Sequence, residues 1–286
     1  MSKLKGYIKK EDRKRILFLC DDIRVHSGIA TMAREIVVNS AHHFNWFNLG
    51  AAIQHPDIGK LIDISDDINK RHGITDADVK IVPYNGYGDT TIVRNILRDQ
   101  DIDAILIFTD PRYWVWLFEI EREIRSKIPI IWYNIWDDYP APLYNKDYYR
   151  SVDTLLAISK ITKNINKIVL DEYADTKLIN YVPHGIDEKI FYPINPEDKK
   201  FKDFKRETLK GNDYDFVAFF NSRNISRKHP HDLVLGYRLF CDKIGNDAAK
   251  KCALIMHTQV LDQHGTDLKA LKEAICDPSY VNLLFS

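Results

Sequence analysis

Three cationic residues follow an apolar segment in the last third of the chain. Arg223, Arg227 and Lys228 come shortly after Phe216–Phe220. A guanidinium group binds two phosphate oxygens in a planar fork, and lysine adds a compact positive charge. Cations that follow a buried strand and precede a helix therefore suit a diphosphate. A solvated basic loop is the alternative that these residues leave open.

A second candidate is the loop that joins the apolar segment Arg15–Cys20 to a segment with helical periodicity. Ser27 can cap that helix, and Gly28 lets a ligand approach the backbone. Free N–H groups at a helix N-terminus, together with the helix dipole, favour phosphate or sugar hydroxyls. With one glycine, the loop matches neither the dinucleotide-binding fingerprint nor the P-loop. A plain strand-to-helix turn is the alternative interpretation.

Polar residues also follow three further apolar segments, at the position where parallel sheets bind ligands. In chain order they are Asn134, Asp137, Asp138, Ser159, His184 and Gly185. The pair Asp137-Asp138 could bind sugar hydroxyls or cap a solvated loop, and a bare Asp-Asp pair is weak evidence for a metal, so we expect none. Ser159 is a good helix N-cap and lacks the glycine-flanked elbow of a hydrolase nucleophile. The turn at His184 and Gly185 is otherwise a connector fixed by prolines.

The composition excludes several classes of protein. The 286 residues are 45% hydrophobic and 29% charged, which is typical of a globular chain with about two domains. The 41 basic and 41 acidic residues give a net charge of 0, so nucleic acid is an unfavourable partner. No apolar run could span a bilayer, and the N-terminus has no signal-peptide pattern. We expect a cytoplasmic protein with reduced cysteines, and peripheral membrane association stays open.

Short apolar segments alternate with segments of helical periodicity, which predicts an α/β fold with parallel sheets. The predicted strands are Arg15–Cys20, Ala104–Phe108, Ile128–Tyr133, Thr154–Ile158, Lys177–Val182, Phe216–Phe220 and Ala253–Met256, with a final run at Tyr280–Phe285. The predicted helices are Ile29–Val38, Trp114–Arg125, Lys160–Leu170, Asp232–Ile244 and Leu268–Ile275.

Two prolines and a charged stretch in Tyr192–Lys210 interrupt this pattern and predict a domain boundary. We therefore predict a polar lead-in at 1–14, a Rossmann-like domain at 15–190 and a second Rossmann-like domain at 191–286. The second domain has too few strands to close a doubly wound sheet, so we expect it to be incomplete. Exposed apolar surface on such a sheet would favour a homo-oligomer.

In their order, these motifs resemble a retaining GT-B glycosyltransferase of the large family 4 group. The segment Val182-Pro-His-Gly-Ile-Asp187, with Phe191-Tyr-Pro193 after it, is similar to the interdomain motif of that family. The segment Phe220-Asn-Ser-Arg223…Arg227-Lys228 is similar to the Gly-Arg…Lys-Gly element of the family. Ala157-Ile-Ser159 and Ser27-Gly28 resemble two further family motifs at strand ends.

The resemblance implies transfer of a sugar from a nucleotide-sugar to an acceptor hydroxyl, with retention and without a further cofactor. The acceptor would be a glycan, a lipid or another small molecule. It also implies that Arg223 and Lys228 bind the donor diphosphate in a cleft between the domains, and that Asp137 replaces a sugar-binding histidine as the catalytic candidate. Other candidates for the cleft are Ser27, Gly28, Asn134, Ser159, His184 and Gly185.

The chain also departs from the family pattern. Asn221, Ser222 and His229 stand where glycines are usual. The Glu-x7-Glu element that grips the donor sugar would lie beyond Ser286, so we expect the chain to be truncated. This motivates an alternative function, in which the chain binds a nucleotide or glycan without turnover or pairs with a second subunit. Glycosylation of DNA bases is disfavoured by the neutral charge, and an NAD-dependent oxidoreductase by the missing glycine fingerprint.

Overall fold

The computed structural model describes residues 6–286, and the chain divides into two compact units, one up to Ile186 and one from Asp187 to Ser286. The strands of the first unit are β1 (Lys14–Asp21), β2 (Phe44–Ala51), β3 (Ile62–Asp63), β4 (Val79–Pro83), β5 (Ala104–Phe108), β6 (Ile130–Asn134), β7 (Thr154–Ala157) and β8 (Leu178–Tyr181). Its helices are α1 (Gly28–Ser40), α2 (Ser65–His72), α3 (Thr90–Asp99), α4 (Val115–Glu119), α5 (Glu121–Arg125), α6 (Lys146–Arg150) and α7 (Lys160–Leu170). The second unit contains α8 (Lys199–Thr208), β9 (Phe216–Asn221), α9 (Pro230–Ile244), α10 (Asn246–Ala249), β10 (Cys252–His257), α11 (Leu268–Ile275) and β11 (Leu283–Phe285).

The first unit is built on an eight-stranded sheet in the order β3-β4-β2-β1-β5-β6-β7-β8. Every neighbouring pair is parallel except β3 with β4. Apolar clusters cover both faces of this sheet: Leu17 and Leu19 pack with Trp132 on one face, and Phe18 packs with Val37 on the other. Because a strand sends neighbouring side chains to opposite faces, the uninterrupted apolar run of β1 suits a central strand.

The second unit has a three-stranded parallel sheet in the order β11-β10-β9. Val234 of α9 and Leu268 of α11 pack with Met256 of β10 in one apolar cluster. The edge strand β9 leaves Phe216 and Phe219 exposed. No helix within residues 6–286 is long and apolar enough to cross a membrane.

The predicted fold class, an α/β chain with two parallel sheets, is confirmed. The segments Ala104–Phe108, Lys160–Leu170 and Leu268–Ile275 coincide with β5, α7 and α11. The prediction of one helix over Trp114–Arg125 is wrong, because the chain forms a short 3₁₀ turn and then α4 and α5, with Ile120 between them. Sequence analysis did not identify β2, β3 and β4. All four cysteines are buried and free.

Arg13 ties the start of the first unit to the core. Residues 1–5 of the predicted lead-in lie outside the described residues. The buried guanidinium group of Arg13 donates to the Ile8 carbonyl at 2.7 Å and to both carboxylate oxygens of Asp76 at 2.8 Å. The Tyr7 hydroxyl donates to the same carboxylate at 2.6 Å. These contacts lower the pKa of Asp76 although partial burial opposes the shift.

Replacing Arg13 with methionine should lower the free energy of unfolding of the first unit by about 3 kcal/mol, because Asp76 then loses its charged partner. Tryptophan fluorescence during urea denaturation measures this unit, since all 5 tryptophans lie in it. The matched control is Lys14→Met, which breaks an exposed ion pair with Asp103 and should cost at most about 1 kcal/mol. Equal losses for the two variants would contradict the anchoring role of Arg13.

Candidate functional site

The strand β1 ends in a buried carboxylate that receives hydroxyl groups from two loops. Asp21 accepts a hydrogen bond from the Ser27 hydroxyl at 2.7 Å and lies 3.4 Å from the Tyr87 hydroxyl. The Ser27 oxygen accepts a hydrogen bond from the Ala30 amide at 3.0 Å, so Ser27 caps α1, as the sequence predicts. The cap and the carboxylate together fix the start of α1 at this edge of the sheet.

Gly28 is the first residue of α1 and is exposed. A Cβ atom at this position would meet no heavy atom within 4 Å, so the surrounding protein leaves open space there. Within residues 6–286, the amides of Gly28 and Ile29 have no hydrogen-bond acceptor. Two free N–H groups at a helix N-terminus can bind an oxygen atom of a ligand.

The next residue, Asp22, provides a second carboxylate, and neighbouring groups pack closely around it. Asp22 is fully buried and accepts two hydrogen bonds from the Arg24 guanidinium, at 2.9 and 2.6 Å. A Cβ atom at Gly50 of β2 would lie 2.7 Å from the Asp22 carboxylate, so only glycine fits there. Sequence analysis did not single out Asp21 or Asp22, although an acidic pair directly after an apolar strand was the available signal.

An aromatic pair lies beside Asp21. The rings of Tyr87 and Tyr113 stack with their centroids 4.1 Å apart, and Trp114 meets Tyr87 edge-on. Burial raises the pKa of Tyr87 above its ordinary value, so its hydroxyl stays protonated and can donate to Asp21. Aromatic faces next to a carboxylate can bind the apolar and hydroxyl groups of a sugar together. Sequence analysis missed this pair because nothing in the local pattern brings the two loops together.

Asn134, at the end of β6, forms hydrogen bonds inside the unit. Its side-chain amide donates to the Tyr149 hydroxyl at 2.8 Å and to the Asn166 side-chain oxygen at 2.5 Å. Its own oxygen accepts from the Trp136 amide at 3.1 Å, and the residue is buried. Burial also raises the pKa of Tyr149 to about 12. The geometry therefore gives Asn134 a role in positioning the loop after β6.

Asp137 lies in that loop and is exposed. Among the described residues its carboxylate has no hydrogen-bond donor and no ion-pair partner. The next residue, Asp138, accepts a hydrogen bond from the Tyr139 amide at 2.8 Å. The two carboxylates therefore differ: Asp138 supports the loop, whereas Asp137 is available to a ligand.

Ser159 follows β7 and caps α7. Its hydroxyl oxygen accepts a hydrogen bond from the Thr162 amide at 2.9 Å and lies 2.9 Å from the Thr162 hydroxyl. The capping role predicted from the sequence is confirmed. Both contacts of the Ser159 hydroxyl are with Thr162 of α7. This geometry is that of a helix cap and not of a nucleophile.

His184 follows β8 and rests on aromatic rings at the ends of two other strands. Its ring meets Phe108 and Tyr133 edge-to-face, at centroid distances of 5.7 and 5.5 Å. The residue is exposed overall, yet this contact removes water from one side of the ring and lowers the pKa of His184. A Cβ atom at the neighbouring Gly185 would meet open space. The imidazole can therefore meet a ligand in its neutral form.

The cationic loop of the second unit is held by a buried carboxylate. Arg223 donates a hydrogen bond from Nε to Asp262 at 2.9 Å, and 62% of its side chain remains exposed. The His264 amide and Arg223 both lower the pKa of Asp262. Among residues 6–286 only Nε of Arg223 has a partner, so the two terminal nitrogens of the guanidinium group can bind an anion.

Asn224 joins this loop to a second one. Its side chain is fully buried, donates to the Gln259 carbonyl at 3.1 Å and to the Thr266 carbonyl at 2.7 Å, and accepts from the Thr266 amide. A Cβ atom at Gly265 would lie 2.2 Å from the Asn224 carbonyl oxygen, so glycine is needed where the loops touch. The position of Arg223 is thus fixed by buried contacts on both sides, a feature that sequence analysis missed.

Two further cations lie a few residues after Arg223 in the same loop. Arg227 and Lys228 are exposed in a 3₁₀ turn just before α9, and neither has an ion-pair partner among residues 6–286. His229 follows with φ 48°, the left-handed conformation that favours glycine. Arg223 and Lys228 thus belong to the same loop of the second unit. The other sequence-predicted candidates follow strands of the first unit.

Solved structures share this fold at low sequence identity. A trehalose-6-phosphate protein from E. coli bound with UDP-2-fluoro glucose superimposes with a TM-score of 0.59 and 14% identity, over 96% of this chain and 74% of that chain. A glycosyltransferase from Rickettsia africae gives a TM-score of 0.58 and 13% identity, over 96% and 69%. The trehalose-phosphate synthase from Burkholderia xenovorans, in complex with glucose-6-phosphate, gives 0.58 and 10%, over 95% and 74%. The chain therefore has the fold of GT-B glycosyltransferases.

No family model matches the sequence. No curated protein matches it either. The likeness is therefore one of fold, and the resemblance to family 4 in particular stays a prediction.

Histidine 184 should titrate below the ordinary value of about 6.5, because its aromatic contacts disfavour the charged ring. The imidazole proton signals in NMR spectra measure this, with His184→Gln to assign the signal. The unfolded chain binds the proton more readily, so the contribution of this histidine to stability is complete above the unfolded pKa and is lost as the pH falls. A midpoint at or above about 6.5 would contradict the packed geometry.

Proposed function

We propose that this chain is a glycosyltransferase that transfers a sugar from a nucleotide-sugar donor to an acceptor hydroxyl with retention. The observation that carries the proposal is the cationic loop of the second unit. Arg223, aligned by Asp262, and the free Lys228 lie between the end of β9 and the start of α9. This is where an open α/β sheet binds anionic ligands.

The donor is proposed to be a nucleoside diphosphate sugar, with a uridine nucleotide as the first candidate. A solved structure of similar fold is bound with UDP-2-fluoro glucose, which supports that choice. A diphosphate has oxygens for both terminal nitrogens of Arg223 and for the ammonium group of Lys228. Because Asp262 and Asn224 already fix the loop, binding of the diphosphate would cost little conformational entropy.

The acceptor is proposed to be a sugar or sugar derivative bound by the first unit. The stacked pair Tyr87 and Tyr113 offers aromatic surface, and the exposed Asp137 offers carboxylate oxygens to hydroxyl groups. The neutral ring of His184 can donate or accept one further hydrogen bond. A solved structure of similar fold, in complex with glucose-6-phosphate, supports a sugar derivative as the acceptor.

In the proposed reaction, the bond between the anomeric carbon and the diphosphate oxygen breaks. A new bond forms from that carbon to the acceptor oxygen, and the acceptor hydroxyl releases its proton. The leaving diphosphate gains negative charge, which Arg223 and Lys228 would stabilise most strongly as the bond breaks. Retention is supported by a trehalose-6-phosphate synthase of similar fold, studied for glycosyl transfer with retention, which matches this chain with a TM-score of 0.54 and 14% identity.

Alanine at Arg223 or at Lys228 should weaken UDP binding by roughly 10- to 100-fold each, since a hydrogen bond to a charged group contributes about 1.5–3 kcal/mol. Isothermal titration calorimetry measures the affinity. UMP lacks the second phosphate, so its affinity should fall less. The matched control is Lys243→Ala, which removes an exposed lysine from the last turn of α9, the helix that follows the cationic loop, and should leave UDP affinity unchanged.

Two results would contradict the donor site. One is unchanged UDP affinity in both Arg223→Ala and Lys228→Ala. The other is a loss of the same size in Lys243→Ala, which would indicate a non-specific charge effect. Titration of the wild-type chain with UDP, GDP and ADP identifies the nucleotide base that the donor site accepts. The first nucleotide found to bind is then used for the variants.

Asp137→Asn should lower the rate of sugar transfer by about 10-fold or more while leaving UDP affinity intact, because a neutral amide stabilises positive charge on the reacting sugar less well. The neighbouring Asp138→Asn is the matched control, since its amide oxygen can still accept the Tyr139 hydrogen bond. Transfer is measured as release of UDP from UDP-sugars with a panel of sugar acceptors. Equal rates for the two variants would remove Asp137 from the reacting centre.

A further inference from the structure

Three side chains that commonly bind metal ions meet at the start of α9. They belong to His229, His231 and Asp232, and one ligand atom from each lies within 4.8 Å of the other two. Nδ1 of His229 is 3.2 Å from one carboxylate oxygen of Asp232, and Nε2 of His231 is 3.5 Å from the other. In a tetrahedral site, metal–ligand bonds of about 2.0–2.1 Å place neighbouring ligand atoms about 3.3 Å apart. The two separations from the Asp232 carboxylate are close to that distance, and the three ligand atoms all lie within 4.8 Å of one another.

We propose that His229, His231 and Asp232 bind a divalent transition-metal ion of the zinc class. Two imidazoles and one carboxylate are a ligand set that such ions bind well, whereas Mg²⁺ prefers oxygen ligands alone. With three protein ligands, the ion keeps at least one position open for water or for an oxygen of a bound anion. The sequence alone predicts no metal site. The proximity of these three side chains in the structure motivates the proposal.

A fourth residue orients one of the ligands. The Thr266 hydroxyl lies 3.3 Å from Nδ1 of His231, so a proton on Nδ1 can be donated to it. Nε2 then carries the lone pair, which is the form in which a histidine nitrogen can bind a metal ion. Hydrogen bonds of this kind commonly fix the tautomer and orientation of metal-bound histidines. Thr266 is itself fixed by Asn224, the same residue that holds the loop of Arg223.

The electrostatics of the helix end are compatible with a bound cation. The positive end of the α9 dipole opposes a cation, but this effect is weak and screened by solvent at an exposed site. Asp232 supplies a negative charge directly in the first helical turn. All three ligand side chains are at least one-third exposed, so an ion can reach them from solution.

The proposed metal site does not depend on the proposed sugar transfer. It rests on three side chains, none of which is assigned to the donor or the acceptor. His229, the first of the three ligands, directly follows Lys228 in the sequence. A bound ion would therefore add positive charge beside the cationic loop. If the chain binds no metal ion, the tests of UDP binding at Arg223 and Lys228 are unaffected. If those tests fail, the test of metal binding is likewise unaffected.

Titration of the full chain with Zn²⁺ tests the proposal. The protein carries no affinity tag and is freed of metal with EDTA, then dialysed at pH 7.5. Calorimetry should give one ion per chain, and Co²⁺ in the same site should show the visible absorption of a low-coordinate complex. His229→Ala, His231→Ala and Asp232→Asn should each lower the affinity at least about 10-fold. The control is His257→Ala, an exposed histidine of the same unit, which should bind Zn²⁺ like the wild type.

Thr266→Val provides a variant that keeps all three ligands. It should weaken Zn²⁺ binding about 10-fold by removing the partner of His231. Circular dichroism checks that each variant remains folded. No saturable Zn²⁺ binding by the wild type, or equal affinity in the wild type and the three ligand variants, overturns the proposal. Displacement of Zn²⁺ by an equal concentration of Mg²⁺ overturns the assignment of the metal class.

Discussion

Parallel pairing of the strands is the constraint on which both candidate sites depend. In a parallel sheet every strand ends at the same edge, so polar residues that follow different strands are collected there. In the first unit this edge gathers Asp21, Asn134, Ser159 and His184, which are far apart in the sequence. In the second unit the loop after β9 carries Arg223, and the loop after β10 carries its partner, Asp262.

Hydrogen bonds within the fold stabilise several buried polar groups at the edge of the first unit. A buried carboxylate without a partner would be costly, and Asp22 is fully buried. Arg24 and its amide supply three hydrogen bonds to it, and Gly50 removes the side chain that would collide with it. Asn134 is paired at both its amide and its oxygen. The exposed groups, Asp137 above all, therefore stand out as those that the fold itself does not use.

Sequence patterns predicted the elements whose apolar residues are contiguous or strictly periodic. Strand β5 buries one uninterrupted apolar stretch, and helix α7 buries residues at helical spacing. Strand β2 was missed since Asn45 and Asn48 interrupt an otherwise apolar run, although both are buried. The charged segment around α8 was interpreted as a boundary alone, yet Asp198 caps a helix there. Polar residues inside strands and mostly charged helices are patterns that hydrophobic periodicity does not separate from loops.

The candidate site was predictable in part for a related physical reason. Arg223 and Lys228 follow a predicted strand, so their common loop could be placed from the sequence. The partners that give this loop its shape, Asp262 and Asn224, act through contacts across about forty residues of chain. No local pattern encodes such contacts. The same holds for the stacked pair Tyr87 and Tyr113, which two separate loops bring together.

The two units differ in the chemistry that they offer to a ligand, and this difference supports transfer between two unlike substrates. The edge of the first unit presents carboxylates, a neutral imidazole and aromatic rings, which suit an uncharged molecule rich in hydroxyl groups. The loop of the second unit presents Arg223, Arg227 and Lys228, which suit an anion. Because the whole chain has a net charge of 0, the cationic loop is a local feature rather than part of a basic surface. The proposed sugar transfer would use both surfaces, the cations for the donor and the polar edge of the first unit for the acceptor.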